Sequence, residues 1–206
     1  MANPPYAQPS YYYGIPDMFL QMGYVPYSRH TAGEQPDMHV DIPLATAMAM
    51  QGKYYLGQTE KLTAGSGVQA WGALVNPYRS GVQVYVNDWF LTNRADHPVE
   101  VHIWLGKANQ LGTATASRQV TPGSIQLPPC PDPKGQILYA STTTEMPRDG
   151  VIASTRILPP SSTTAAEKSG RWILGPGTAL LFHIPAEVPS SELTVSFGWW
   201  EQPVYG

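Results

Sequence analysis

From Val82 to Leu105 the chain alternates. In "VQVYVNDWFLTN" (82–93), Val82, Val84 and Val86 fall on one side and Gln83, Tyr85 and Asn87 on the other. In "VEVHIWL" (99–105), Val99, Val101, Ile103 and Leu105 alternate with Glu100, His102 and Trp104. Successive side chains of a β-strand point to opposite faces, so a repeat of two describes strands with one face in a core. The connection "RADHP" (94–98) is short, and the two segments are expected to pair as the clearest hairpin of the chain.

Similar short segments recur after residue 43, divided by Gly, Pro and Asn. "LATAMAM" (44–50) and "KYYLGQT" (53–59) read as a first strand pair. "VQAWGALV" (68–75) ends at the turn "NPYRSG". Weaker strands are expected at 117–121, 124–127 and 136–140, with the bend "LPPCPDP" between the last two, and a further one is "VIASTRIL" (151–158). "SSTTAAEKSG" (161–170) reads as one helical turn ended by Gly170, followed by strands at 171–174, 178–184 and 192–201. In the last, Leu193, Val195, Phe197 and Trp199 share a face. Eight to ten such strands with little helix imply an all-β, jelly-roll-like β-sandwich over 44–206, carrying an extended N-terminal arm over 1–43.

Composition narrows the function. Charged residues are 13% of the chain, about half the usual share, and net charge is −3 with no basic stripe. Nucleic-acid binding, which needs clustered Lys and Arg against phosphate, is not expected. No apolar run approaches the ~20 residues of a membrane span. "MANPPYAQPSYYYG" lacks the basic and apolar regions of a secretory signal, so a location outside the cell would be reached by lysis or a non-standard route.

Catalytic and cofactor motifs are not found: no G-x-S-x-G, H-E-x-x-H, P-loop or G-x-G-x-x-G is present, and neither enzymatic activity nor a cofactor is expected. Cys130, the only cysteine, has no partner in its own chain; it is a candidate for an intermolecular disulfide, beside the readings of nucleophile and inert thiol. "DMHVD" puts Asp37, His39 and Asp41 on one side of an extended segment, a weak candidate for a metal ion against the reading of a solvated linker. Adjacent tryptophans on a strand face opposite ways, so of Trp199 and Trp200 one is expected in the core and the other at a surface or interface. Trp200 and Trp104 are thus the candidate aromatic surface.

Residues 1–43 form a block of their own. Six of the twelve tyrosines and five prolines lie in the first 28 residues. Proline fixes φ and removes a donor, so the block is expected to be extended. A domain with eight strands does not need it to close a core, and Tyr11, Tyr12, Tyr13, Met18, Phe19, Leu20, Tyr24 and Tyr27 would be a large apolar surface in water. The arm folds over its own domain or docks on a neighbouring copy. Tyrosine suits interfaces because it buries much area at low entropy cost, and strand addition to a free sheet edge is the expected mode.

The runs "QGKYYLGQT", "WGALVNPYRSGVQVYVNDWFLTN", "HPVEVHIWL" and "LTVSFGWWE" resemble an uncharacterised family of β-rich proteins from spore-forming Firmicutes, over about residues 50 to 201. These are packing and turn residues, and the resemblance carries no active site across. In architecture the chain is also similar to endospore appendage fibre subunits, which are jelly rolls with N-terminal connectors; those connectors use cysteines, and this arm has none. The resulting expectation is a structural subunit that self-assembles through its arm into an extracellular fibre or spore-surface layer, its partner being itself and, beyond that, other spore-surface proteins. The alternative is a carbohydrate- or receptor-binding β module that uses surface Trp and Tyr.

Overall fold

The computed structural model describes residues 41–145 and 147–204. Within them lie a short helix, α1 (Leu44–Met50), and twelve strands: β1 (Tyr54–Gln58), β2 (Leu62–Ala64), β3 (Gln69–Asn76), β4 (Val82–Asn93), β5 (Val99–Lys107), β6 (Thr115–Ala116), β7 (Val120–Pro122), β8 (Gln136–Thr143), β9 (Val151–Leu158), β10 (Ser162–Leu174), β11 (Thr178–Ile184) and β12 (Ser191–Pro203). β2, β6 and β7 have three residues or fewer, which leaves nine longer strands.

They form two antiparallel sheets packed as a sandwich. One runs β10-β4-β12-β1-β7, with β2 also on β12; the other runs β6-β8-β3-β11-β5-β9. Within this order β1-β12-β4-β10 faces β3-β11-β5-β9, the arrangement of a jelly roll. The core is the set of inward positions that the alternation marks. It contains Val84, Val86, Trp89 and Leu91 from β4, Val99, Val101 and Ile103 from β5, and Leu193, Val195, Phe197 and Trp199 from β12. Phe182 joins the layers, its ring 5.2 Å from Trp89 and 5.5 Å from Phe197. Fully burying a side chain of this size contributes about 1.5–3 kcal/mol.

Four expectations are corrected. β4 and β5 do not pair: β4 lies between β10 and β12, β5 between β9 and β11, and 94–98 crosses from one sheet to the other. A repeat of two reports a buried face; it says nothing about the neighbour in the hydrogen-bonding direction. Buried Asn93 anchors the crossing, its amide donating to the carbonyls of His97 and Pro159, each at 2.9 Å.

"LATAMAM" is helical, as Ala, Leu and Met favour. The helix ends in a Schellman pair, Gly52 N–H to Ala49 O and Lys53 N–H to Met48 O, with Gly52 at φ 68°. Residues 161–170 belong to β10 instead of a helical turn, because pairing along β4 outweighs local propensity. No strand forms at 124–127.

Candidate assembly surface

Sheet edges present unpaired backbone groups. At one end of the two sheets the edges are β7 and β6, three and two residues long. At the other they are β10 and β9, thirteen and eight residues long. β10 is blunted: its register shifts between Glu167 and Trp172, and Lys168 and Arg171 lie in the bulged stretch.

β9 has less protection. It contains no proline and one charge, Arg156, and its Val151, Ile152 and Ile157 are 71%, 49% and 71% exposed. Register with β5 puts Arg156 opposite Val101, on the core side, and Thr155 and Ile157 opposite His102 and Glu100, on the outer side. A shift at Ile103/Trp104 leaves Ala153 bulged, so apolar residues occupy both faces of this edge.

Cations gather where the two edges meet. Lys168 Nζ lies 4.4 Å from the Trp172 ring centroid and 5.7 Å from that of the core Trp89. Burial, followed by repulsion from Arg156 and Arg171, holds the Lys168 ammonium below its usual pKa. Arg171 Nε donates to the Lys168 carbonyl at 3.1 Å. Among the described residues none of these three cations has a carboxylate within ion-pair distance.

The residues anticipated from sequence are distributed differently. Tyr11, Tyr12, Tyr13, Met18, Phe19, Leu20, Tyr24 and Tyr27, with Asp37 and His39, lie outside the described residues. Asp41 is described and exposed.

Trp104 and Trp200 do not form an aromatic surface: they are 8% and 2% exposed. Trp104 packs on the outer side of its sheet with Trp71, Leu111 and Leu181. Trp199 is in the main core, and Trp200 lies beneath the bulge of β10, so both adjacent indoles are buried. Cys130 is also buried, its thiol 3.3 Å from the Ser124 carbonyl and pressed against Gly52, which corrects the reading of a ready intermolecular thiol.

Sequence reasoning did not single out Val151, Ile152, Arg156, Ile157, Lys168 or Arg171. One mark was present: "VIASTRIL" has apolar residues at both parities, unlike the half-buried strands around it.

Two other features have chemical content. His97 lies 2.9 Å from Ser191 Oγ through Nε2 and 3.0 Å from Asp96 Oδ1 through Nδ1. The hydrogen bond from His97 and one from its own backbone hold the Asp96 carboxyl below its usual pKa. This has the order of a nucleophile–base–acid triad. However, Ser191 is buried and its hydroxyl donates to the Pro189 carbonyl at 2.6 Å, directing the proton away from the imidazole. The arrangement clasps the 94–98 crossing to the end of 185–190. On the outer face of the first sheet, Leu56, Phe90, Arg118 and Thr121 line an open groove of about 420 Å³.

A family model described as a family of unknown function, DUF6143, matches residues 27–205. The chain belongs to the DUF6143 family. The match covers the whole sandwich of this DUF6143 chain and the segment before it from Tyr27 onward, while Tyr11 to Tyr24 fall outside it. No curated protein and no solved structure matches the chain.

Proposed function

We propose that this chain is a structural subunit, not an enzyme, that self-assembles by docking residues 1–43 on neighbouring copies. The product is an extracellular fibre or a layer on the spore surface. The observation that carries the reading is the free edge of β9. It is eight residues long, apolar on both faces and, among the described residues, without a strand on its outer side, whereas the edges at the opposite end of the sandwich are two and three residues long. Exposed apolar edges recruit further strands, and a chain with an apolar, tyrosine-rich arm brings its own. A contact from the arm of one copy to the edge of the next is heterologous and propagates.

The test is removal of residues 1–43. The truncated chain is expected to remain folded and monomeric by circular dichroism and sedimentation, while the full chain forms fibres or sheets in negative-stain micrographs. Assembly of the truncated chain like that of the full one would refute the reading.

A carbohydrate- or receptor-binding module is the second reading. It rests on the groove between Leu56 and Phe90, since Trp104 and Trp200 are buried. Saturable binding on a glycan array, lost in Phe90→Ala, would favour it.

A further inference from the structure

Charge is unevenly divided along this chain. Residues 1–43 hold four acids, Asp17, Glu34, Asp37 and Asp41, and one base, Arg29, a net of −3. The whole chain has 15 acids and 12 bases, so residues 44–206 hold 11 of each and are neutral. The arm is therefore the acidic part of a molecule whose long edge strands meet at Arg156, Lys168 and Arg171, three cations without carboxylate partners among the described residues.

Proline spacing limits which part of the arm can join a sheet. A proline has no N–H to give to a ladder. Between Pro16 and Pro26 lie nine residues free of proline, Asp17–Val25 ("DMFLQMGYV"), about the length of the eight-residue β9. As an extended strand this stretch alternates Met18, Leu20, Met22 and Tyr24 with Asp17, Phe19, Gln21, Gly23 and Val25. One face is apolar throughout, and the only charge sits at its start.

We propose that Asp17–Val25 of one copy adds antiparallel to the free edge of β9 in a second copy, with Asp17 beside Arg156. Antiparallel pairing from that anchor sets Met18 beside Thr155, Leu20 beside Ala153 and Met22 beside Val151, the first residue of β9. Met18 and Leu20 thus cover the outer side next to the exposed Ile152, while residues 23–25 run past the strand. Asp17 and Phe19 turn to the core side, where Asp17 meets Arg156 and its neighbours Lys168 and Arg171. Edge hydrogen bonds supply affinity without sequence preference, and the acid–base pairing fixes direction and register. The inference deepens the assembly reading above and depends on it.

Two full-length single-cysteine chains, each in a Cys130→Ala background, test the pairing: Met18→Cys and Thr155→Cys. Mixed and oxidised, they are expected to give a disulfide-linked heterodimer, and neither alone is expected to give the same yield of dimer. Arg156→Glu, at an exposed position that leaves the fold intact by circular dichroism, is expected to raise the concentration needed for assembly by tenfold or more. Asp17→Arg in the same chain is expected to restore it. Added salt should weaken the native pair.

If removal of 1–43 abolishes assembly but the mixture does not cross-link and Arg156→Glu assembles normally, the pairing is wrong and the assembly reading stands. If the cross-link forms only when both cysteines are on one chain, the arm seats on its own domain, and the pairing between copies is overturned. If the truncated chain still assembles, both readings fall.

Discussion

The indole of Trp200 lies flat on the ring of Tyr85, with centroids 5.5 Å apart and planes 3° from parallel. The indole's far edge reaches β10 at Gly170, where a Cβ would stand 2.3 Å from Trp200 Cη2. Gly170 also has φ of 72°, the left-handed region that costs other residues energy. The bulge of β10 closes over the tryptophan because this one position carries no side chain.

Gly170→Ala is accordingly expected to destabilise the fold by about 2–4 kcal/mol through overpacking and backbone strain together. For a chain of this size each kcal/mol lowers Tm by about 2–4 °C. A thermal melt followed by circular dichroism measures it; a shift below 1 °C would mean that the indole yields without cost.

Acid stability should respond to His183. The imidazole is buried on the outer side of its sheet, 5.8 Å from Trp104 and 5.9 Å from His102, with Nε2 donating to Gln69 Oε1 at 2.6 Å. Burial first, and then the neighbouring His102, lower its pKa from 6.5 to about 4, against an opposing pull from Glu187. Between pH 6.5 and about 4 the unfolded chain binds this proton and the folded chain does not, so stability falls as pH drops through that window. The slope is at most about 1.4 kcal/mol per pH unit for one such group. Urea midpoints measured from pH 7 to 4 should fall less steeply in His183→Gln; an unchanged slope would remove His183 as the cause.

Cys130 should react slowly while the fold is intact. Its thiol is buried against the Ser124 carbonyl and Gly52. Titration with a thiol-specific chromogenic reagent is expected to show labelling at least tenfold slower in buffer than in denaturing urea. Assembly by Cys130→Ala is expected to equal that of the parent chain. Rapid labelling of the folded chain would restore the intermolecular disulfide as a contender.

The faces of β4, β5 and β12 were legible because a half-buried strand writes its period into the sequence: Val99, Val101 and Ile103, and Leu193 to Trp199, face the core as the alternation implies. Pairing was not legible. Val82 to Asn93 and Val99 to Leu105 read as two arms of a hairpin, yet they belong to opposite sheets. Alternation around α1 misled for a similar reason: in Leu44 to Met50, Leu44, Thr46, Met48 and Met50 alternate with alanine, a pattern that short helices also allow. The exposed edge of β9 was only faintly marked. The apolar residues of β9 imply burial until its place beyond β5 shows that nothing described pairs with its outer side.

By itself, the order of residues determined that this chain makes strands, which side of most of them is greasy, and that its acidic, tyrosine-rich opening differs in kind from the rest. Only the tertiary structure decided which strands are neighbours, that Trp104, Trp200 and Cys130 are enclosed, and that Arg156 and Lys168 come near each other beside an edge with which no described segment pairs. The reason is physical. Alternation and propensity are properties of a few adjacent residues, whereas enclosure and edge position depend on which distant segments come to lie alongside.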